Sequence, residues 1–326
     1  MKNTTKIILI TILIFILITI IATILIGNYF VNFALVRNDN NEFDISPEED
    51  KTISDSVKYE IGENIIKEEV LVQEWLEKVN SNTVNIWSED NLKLIADKYY
   101  NENNSDKWVI IIHGYGGNRQ TMRSYGVHYY NEGYNVLIPD LRAHGESEGK
   151  YIGMGWLDRK DLLLWIDYIL EENPNAEIVL HGVSMGAATV MMTSGENLPS
   201  QVKAIIEDCG YTSVWDIFED ELDALFGLPS FPALYMSEIV AKIRVGYDFS
   251  EASAVEQVKQ SKVPILFIHG DKDTFVQTHM VYDLYNAANC EKDILVVENA
   301  GHAEAKNRNP KIYFEKVFQF LEGKVS

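Results

Sequence analysis

The sequence predicts an α/β fold: a mostly parallel, eight-stranded sheet with helices on both faces, a small cap insertion and one N-terminal transmembrane helix. Three observations lead there. Eight short apolar runs recur after Ser81, and stretches with helical spacing separate the later ones. The first thirty residues hold far more than their share of apolar side chains.

Residues 7–26 are almost wholly apolar, broken only by small or uncharged side chains such as Thr11, Thr19, Ala22 and Thr23. At about 1.5 Å per residue such a run crosses a hydrocarbon core roughly 30 Å thick. A cleaved signal peptide carries a shorter apolar region, of about 7–15 residues, followed by a small-residue cleavage site. Here the run is longer, and Asn28, Tyr29 and Asn32 after it suggest an exit at headgroup depth. Lys2 and Lys6 precede the run, whereas Asp39, Glu42 and Asp44 follow it. That asymmetry favours the N-terminus inside and the rest of the chain on the extracytoplasmic side. The expectation is an uncleaved signal anchor, residues 1–37, touching the membrane through residues 7–26.

Residues 38–82 divide in two. An acidic stretch rich in Asn, Asp, Glu and Ser, about 38–56, has no apolar periodicity and predicts a solvated linker. Over 61–79, Ile65, Ile66, Val70, Leu71, Trp75 and Leu76 recur at helical spacing, which predicts an amphipathic helix packed on the main domain. That domain is expected over 83–326. Its apolar runs are 84–87, 92–96, 108–112, 135–138, 178–180, 204–206, 265–268 and 294–297. A short turn at Asp90 and Asn91 joins the first two, so they predict an antiparallel hairpin. Helical stretches such as 162–170 and 280–288 make the later connections crossovers. In such sheets, sites form beyond the carboxyl ends of the strands.

One motif carries chemistry. Gly182-Val183-Ser184-Met185-Gly186 stands between a buried strand and a small-residue helix start. There the turn is so tight that the flanking positions tolerate little side chain, and Ser184 is lifted above the sheet as a candidate nucleophile. The following helix aims free N–H groups and its positive end at a developing oxyanion. A serine hydroxyl needs a base. Of seven histidines, His113, His181 and His269 end strands before Gly and read as packing residues. His144 sits in another strand-exit loop, His128 within a helix, and His279 at a helix start. His302 follows the last strand, with Gly301 beside it to give room, and is the candidate base. The base needs an orienting acid. Asp273, after the seventh strand, is preferred, with Asp208, after the sixth, as the alternative, while Asp271 reads as a loop tie. The oxyanion donors are expected to be the amides of Met185 and Tyr115, the latter in the loop His113-Gly-Tyr-Gly-Gly-Asn.

With these pieces in place, residues 83–326 resemble the α/β-hydrolase family. The motifs are His113-Gly-Tyr-Gly-Gly-Asn, Pro139-Asp-Leu-Arg-Ala-His-Gly-Glu-Ser-Glu-Gly, Gly182-Val-Ser-Met-Gly, Ile268-His-Gly-Asp-Lys-Asp and Gly301-His302. The chain is similar to the bacterial group that also resembles serine aminopeptidases and acyl-thioester hydrolases. The resemblance implies acyl transfer to water through an acyl-serine intermediate, a small-molecule acyl substrate and no cofactor or metal. One departure is Ala143, where many relatives have Gly. A serine peptidase, an acyltransferase and a non-catalytic surface binding module are the alternatives.

Residues 214–260 are longer than a crossover needs and rich in Trp215, Phe218, Leu222, Leu225 and Phe226. They predict either a cap walling an acyl pocket or ordinary helix packing. Cys209 follows the sixth strand and Cys290 precedes the eighth, at opposite ends of a parallel sheet. About 17–20 Å of strand then separates them, so free thiols are expected. No CxxC or paired His/Cys spacing suggests zinc. The net charge of −21 excludes a nucleic-acid partner, which needs a basic surface.

Overall fold

A computed structural model describes residues 2–37, 52–103 and 105–326, so the expected acidic linker lies mostly outside the described residues. The chain opens with α1 (Lys2–Leu35), α2 (Asp55–Leu76) and the hairpin β1 (Asn80–Trp87) and β2 (Lys93–Tyr100). Then come β3 (Lys107–Ile112), α3 (Arg123–Asn131), β4 (Asn135–Pro139), α4 (Asp158–Glu172), β5 (Glu177–Val183), α5 (Met185–Thr193) and β6 (Val202–Asp208). Three helices, α6 (Val214–Phe226), α7 (Ser230–Arg244) and α8 (Ala254–Val258), fill the insertion before β7 (Ile265–Gly270). The chain closes with α9 (His279–Ala287), β8 (Lys292–Val297), α10 (Ala305–Arg308) and α11 (Pro310–Leu321).

The eight strands form one sheet in the order β1-β2-β4-β3-β5-β6-β7-β8. β2 is antiparallel to β1 and to β4, and every other pairing is parallel. The alternation of a strand sends successive side chains to opposite faces. Along β3, Trp108, Ile110 and Ile112 enter the core beneath α4 and α5, while Val109 and Ile111 enter the one beneath α2, α3 and α11. β1 is longer than its apolar run, starting at Asn80 and pairing through to Trp87. Its added residues are exposed at the sheet edge, where backbone pairing needs no apolar signal.

Two helices differ from expectation at their ends. α2 starts at Asp55 rather than 61 and stops at Leu76, because the chain must turn into β1 at Asn80. Its buried residues, Ile61, Glu68 and Trp75, recur every seven, and Trp75 packs on Tyr99 with ring centroids 4.5 Å apart. α1 continues well past the expected polar exit. Asn28 and Asn32 both accept hydrogen bonds from Arg244 of α7. At about 1.5 Å per residue, 34 residues outrun a bilayer core, and the surplus turns pack on the domain. Val31 and Leu35 are buried, and the helix end is tied down by Ile152 donating to the Leu35 carbonyl at 2.8 Å and Arg37 donating to Lys150 at 2.9 Å. The stretch Asn3–Leu35 has a mean hydropathy of 3.3 over its best window and is a candidate membrane span.

One buried histidine shows how the core handles polarity. The Tyr129 hydroxyl donates to His181 Nδ1 (2.9 Å), His181 Nε2 donates to the Tyr313 oxygen (3.0 Å), and Tyr313 donates to Asp208 (2.9 Å). That chain needs a single ring proton, and burial pushes His181 down to about 3, so it is neutral in the fold. Its protonation on unfolding favours the unfolded state between pH 6.5 and about 3, so this contribution to stability falls as pH falls. His181→Gln removes the titration while keeping a donor and an acceptor. The stability gap between wild type and His181→Gln is expected to shrink by about 2 kcal/mol from pH 7 to pH 5, as read from urea denaturation at both values.

Candidate active site

The strand–turn–helix at Ser184 depends on two glycines. A Cβ on Gly182 would lie 2.1 Å from the Gly186 carbonyl oxygen, and one on Gly186 would lie 2.2 Å from the Ile112 oxygen. Ser184 itself has φ 56° and ψ −118°, outside the regions L-residues favour. Its amide donates to the Asp208 carbonyl at 2.8 Å, which pins this conformation to β6. β5 thus ends with Ser184 at the N-terminus of α5, above the carboxyl edge of the sheet.

The loop after β8 brings His302 to it. Asn299 and Ala303 flank the imidazole in left-handed conformations, and Gly301 donates to the Glu304 carboxylate at 2.8 Å. His302 Nε2 lies 2.8 Å from Ser184 Oγ, and Nδ1 lies 2.7 Å from Asp273 Oδ2. Asp273 is fully enclosed. Its Oδ1 accepts from the amides of Phe275 (3.0 Å) and Val276 (2.9 Å), and His269 Nε2 stands 3.2 Å from Oδ2. Burial favours the protonated acid, but the His302 charge and the two imidazole hydrogen bonds outweigh it and hold the carboxyl below its ordinary range.

The alternative acid is engaged elsewhere. Asp208 Oδ2 accepts from Tyr313, and burial pushes its carboxyl up to about 6. Only Asp273 of the two hydrogen-bonds His302. Asp271 ties the two loops together by accepting from the Asn299 amide at 2.6 Å.

The loop after β3 passes directly over Ser184. A Cβ on Gly114 would lie 3.1 Å from the Ser184 Cβ, ordinary for nothing bulkier than Gly. Gly116 donates to His144 Nε2 (3.2 Å), and Gly117 donates to the Gly114 carbonyl (3.1 Å). Among the described residues the Tyr115 amide has no acceptor, and Met185 opens α5, where an N–H lacks a helical partner. His144 therefore sets the loop's shape, with its Nδ1 against the Arg142 carbonyl at 2.9 Å. Ala143 beside it adopts φ 61°, the conformation a glycine would take freely. Asp140 joins this loop to the next by accepting from the Arg119 amide and guanidinium and from the Glu146 amide.

The remaining histidines stay apart from Ser184. His113 accepts from the Leu141 amide at 3.0 Å and is pushed down to about 3 by burial. His128 meets Glu68 at 2.8 Å, and His279 opens α9. His269 differs from its expected packing role, because it is a second partner of Asp273. Burial opposes its protonation, but Asp273 and then Glu207 raise its pKa overall. Its position before Gly270 offered no sequence signal for that contact.

Cys209, Asp273 and His302 bring potential ligand atoms within 4.8 Å of one another. They make a poor metal site. Asp273 and His302 already bond each other, and burial with the nearby acids keeps the Cys209 thiol protonated, its pKa well above the ordinary range. Both cysteines are free.

An eight-stranded, mostly parallel sheet with a serine at the sharp β5–α5 turn defines the α/β-hydrolase class. A family model described as alpha/beta hydrolase fold matches residues 107–242. The chain is similar to the uncharacterized protein YqkD of Bacillus subtilis, 30% identical over 215 residues, covering 66% of this chain and 70% of that one. It is also similar to Lipase 1 of Psychrobacter immobilis, 22% identical over 236 residues, covering 62% and 73%. The esterase Pf2001 of Pyrococcus furiosus superposes with a TM-score of 0.61 at 27% identity, covering 76% of this chain and 92% of that one. The chain belongs to the α/β-hydrolase family, and its class is hydrolase.

The turn makes a stability prediction. Gly186→Ala forces a Cβ into the Ile112 carbonyl and is expected to destabilise by about 3 kcal/mol, seen as a lower midpoint in thermal unfolding. An unchanged midpoint would mean the backbone crossing is looser than described.

Proposed function

We propose that the chain is a membrane-anchored serine hydrolase that cleaves a carboxylic ester, thioester or small amide. The observation that carries this reading is the unbroken hydrogen-bonded line from Asp273 through His302 to Ser184. Ser184 Oγ attacks the carbonyl carbon while His302 Nε2 takes the hydroxyl proton. The Met185 and Tyr115 amides hold the oxyanion. Ionised Asp273 fixes the Nδ1–H tautomer and stabilises the imidazolium, which then protonates the leaving group. Water, deprotonated by the same imidazole, releases the acid and restores Ser184. Every step uses side chains and amides of this chain, so the reaction requires no metal or cofactor.

In this reading residues 1–37 are the anchor, with residues 7–26 in the membrane. Residues 38–82 connect it to a hydrolase domain over 83–326, in which residues 214–260 form the cap. The lysines before the apolar run support an extracytoplasmic domain.

Ser184→Ala is expected to lower ester turnover at least about 10⁴-fold with an unchanged circular dichroism spectrum, and Asp273→Asn to cost about as much. Asp208→Asn should keep most of its turnover, since that carboxyl serves Tyr313. Full activity in Ser184→Ala would refute the reading.

A further inference from the structure

The outer face of α7 carries Phe231, Tyr235, Ile239 and Ile243, exposed at 73%, 50%, 52% and 79%. Residues four apart stack on one side of a helix, so Tyr235, Ile239 and Ile243 form an apolar stripe, and Phe231, whose own backbone is not helical, extends it by packing on Tyr235 with ring centroids 5.9 Å apart. Leu225 and Leu228 extend it around the α6–α7 corner. A continuous apolar patch of this kind marks a surface that meets something other than water.

What it meets follows from its placement beside α1. The two helices run in the same direction. Gly27 abuts Met236 and Val240, so closely that a Cβ there would fall 2.5 Å from the Met236 carbonyl oxygen, and Asn32 further on accepts from Arg244. Counting back from Met236 at about 1.5 Å per residue, Phe231 stands roughly level with Ala22. Ala22 lies inside the apolar run of α1, so the first turns of α7 reach the depth at which α1 would enter hydrocarbon.

An apolar cavity of about 50 Å³ lies between the end of α1 and the insertion, lined by Phe30, Leu35, Leu222, Phe226 and Phe249. Glu221 on its wall is pushed up to about 7, by burial first and then by Asp220 and Asp273. Ala34, another wall residue, accepts a 3.0 Å hydrogen bond from the hydroxyl of Tyr115. The end of the anchor helix is thus both cavity wall and support for the loop over Ser184.

We propose that the start of the α7 stripe, Phe231 and Tyr235, and α1 seat together in one lipid leaflet, and that the chain acts on a bilayer-resident acyl lipid of that leaflet, the cavity between them taking a short stretch of its acyl chain. This deepens the hydrolase reading and rests on it. The net charge of −21 opposes an anionic surface, so the leaflet it fits has neutral headgroups.

The test uses the full chain in phosphatidylcholine vesicles. In Phe231→Trp, the added fluorescence is expected to be quenched by phosphatidylcholine brominated along its acyl chains. An added signal that is not quenched overturns the proposal, and pairing of two copies through the stripe would give that result. In the double variant Phe231→Glu with Tyr235→Glu, hydrolysis of a long-chain fluorogenic ester lipid in the vesicles should fall at least about tenfold. Its rate on water-soluble p-nitrophenyl butyrate should hold. Equal retention on both substrates overturns the proposal. Failure of the hydrolase reading is distinguishable, because wild type would then turn over neither substrate while the quenching still reports on seating.

Discussion

The structure depends on one backbone crossing. β5 ends, reverses through Ser184 and enters α5 within a space that admits no side chain at Gly182 or Gly186. The cost is a serine held at φ 56°, and the amide bond to the Asp208 carbonyl helps to hold it there. The result is a hydroxyl lifted off the sheet at a helix N-terminus, facing a loop that passes with only the Gly114 hydrogen between. Everything catalytic in the proposed mechanism is arranged around that point, and none of it works if the serine falls back into the sheet.

Around this crossing the protein buries several polar and charged side chains, and local hydrogen bonds engage each of them. Asp273 gathers two amides and two imidazoles about one carboxylate, so it remains ionised in a site that burial alone would neutralise. His181, Tyr129, Tyr313 and Asp208 share their protons along one chain beneath the site. Two acids at the end of β6 behave differently from Asp273. Glu207 and Asp208 are pushed up to about 8 and about 6 by burial, since neither is surrounded by as many donors. Local hydrogen bonding, rather than residue type, separates the acid that can stabilise an imidazolium from the one that cannot.

The candidate membrane span α1 and the hydrolase fold form one packed body. Leu35 is buried in the same core as α4 and α5, and the chain just after α1 is hydrogen-bonded to the loop that follows β4. In the proposed reading, an α1 that crosses a membrane and ends inside the domain would fix that domain's distance from the bilayer, which a free linker would not do.

Strand alternation, the apolar run at the N-terminus and the small residues flanking Ser184 are local properties, and the sequence by itself determined from them the sheet, the candidate span and the sharp turn. The candidate base and acid were legible too, because strand-exit loops with Gly beside the functional residue carry a local signature. Asp273 and Asp208 could only be ranked, since both follow strands in similar settings. Which carboxyl reaches His302 is decided by how the β7 and β8 loops lean together, a long-range matter. The same holds for Glu68 buried against His128 and for the hydrogen bonds that Asn28 and Asn32 accept from Arg244. Periodicity and turn chemistry act over a few residues and are written in the chain. Partnerships between side chains tens to hundreds of residues apart arise only once the sheet order and helix packing bring them within hydrogen-bonding distance.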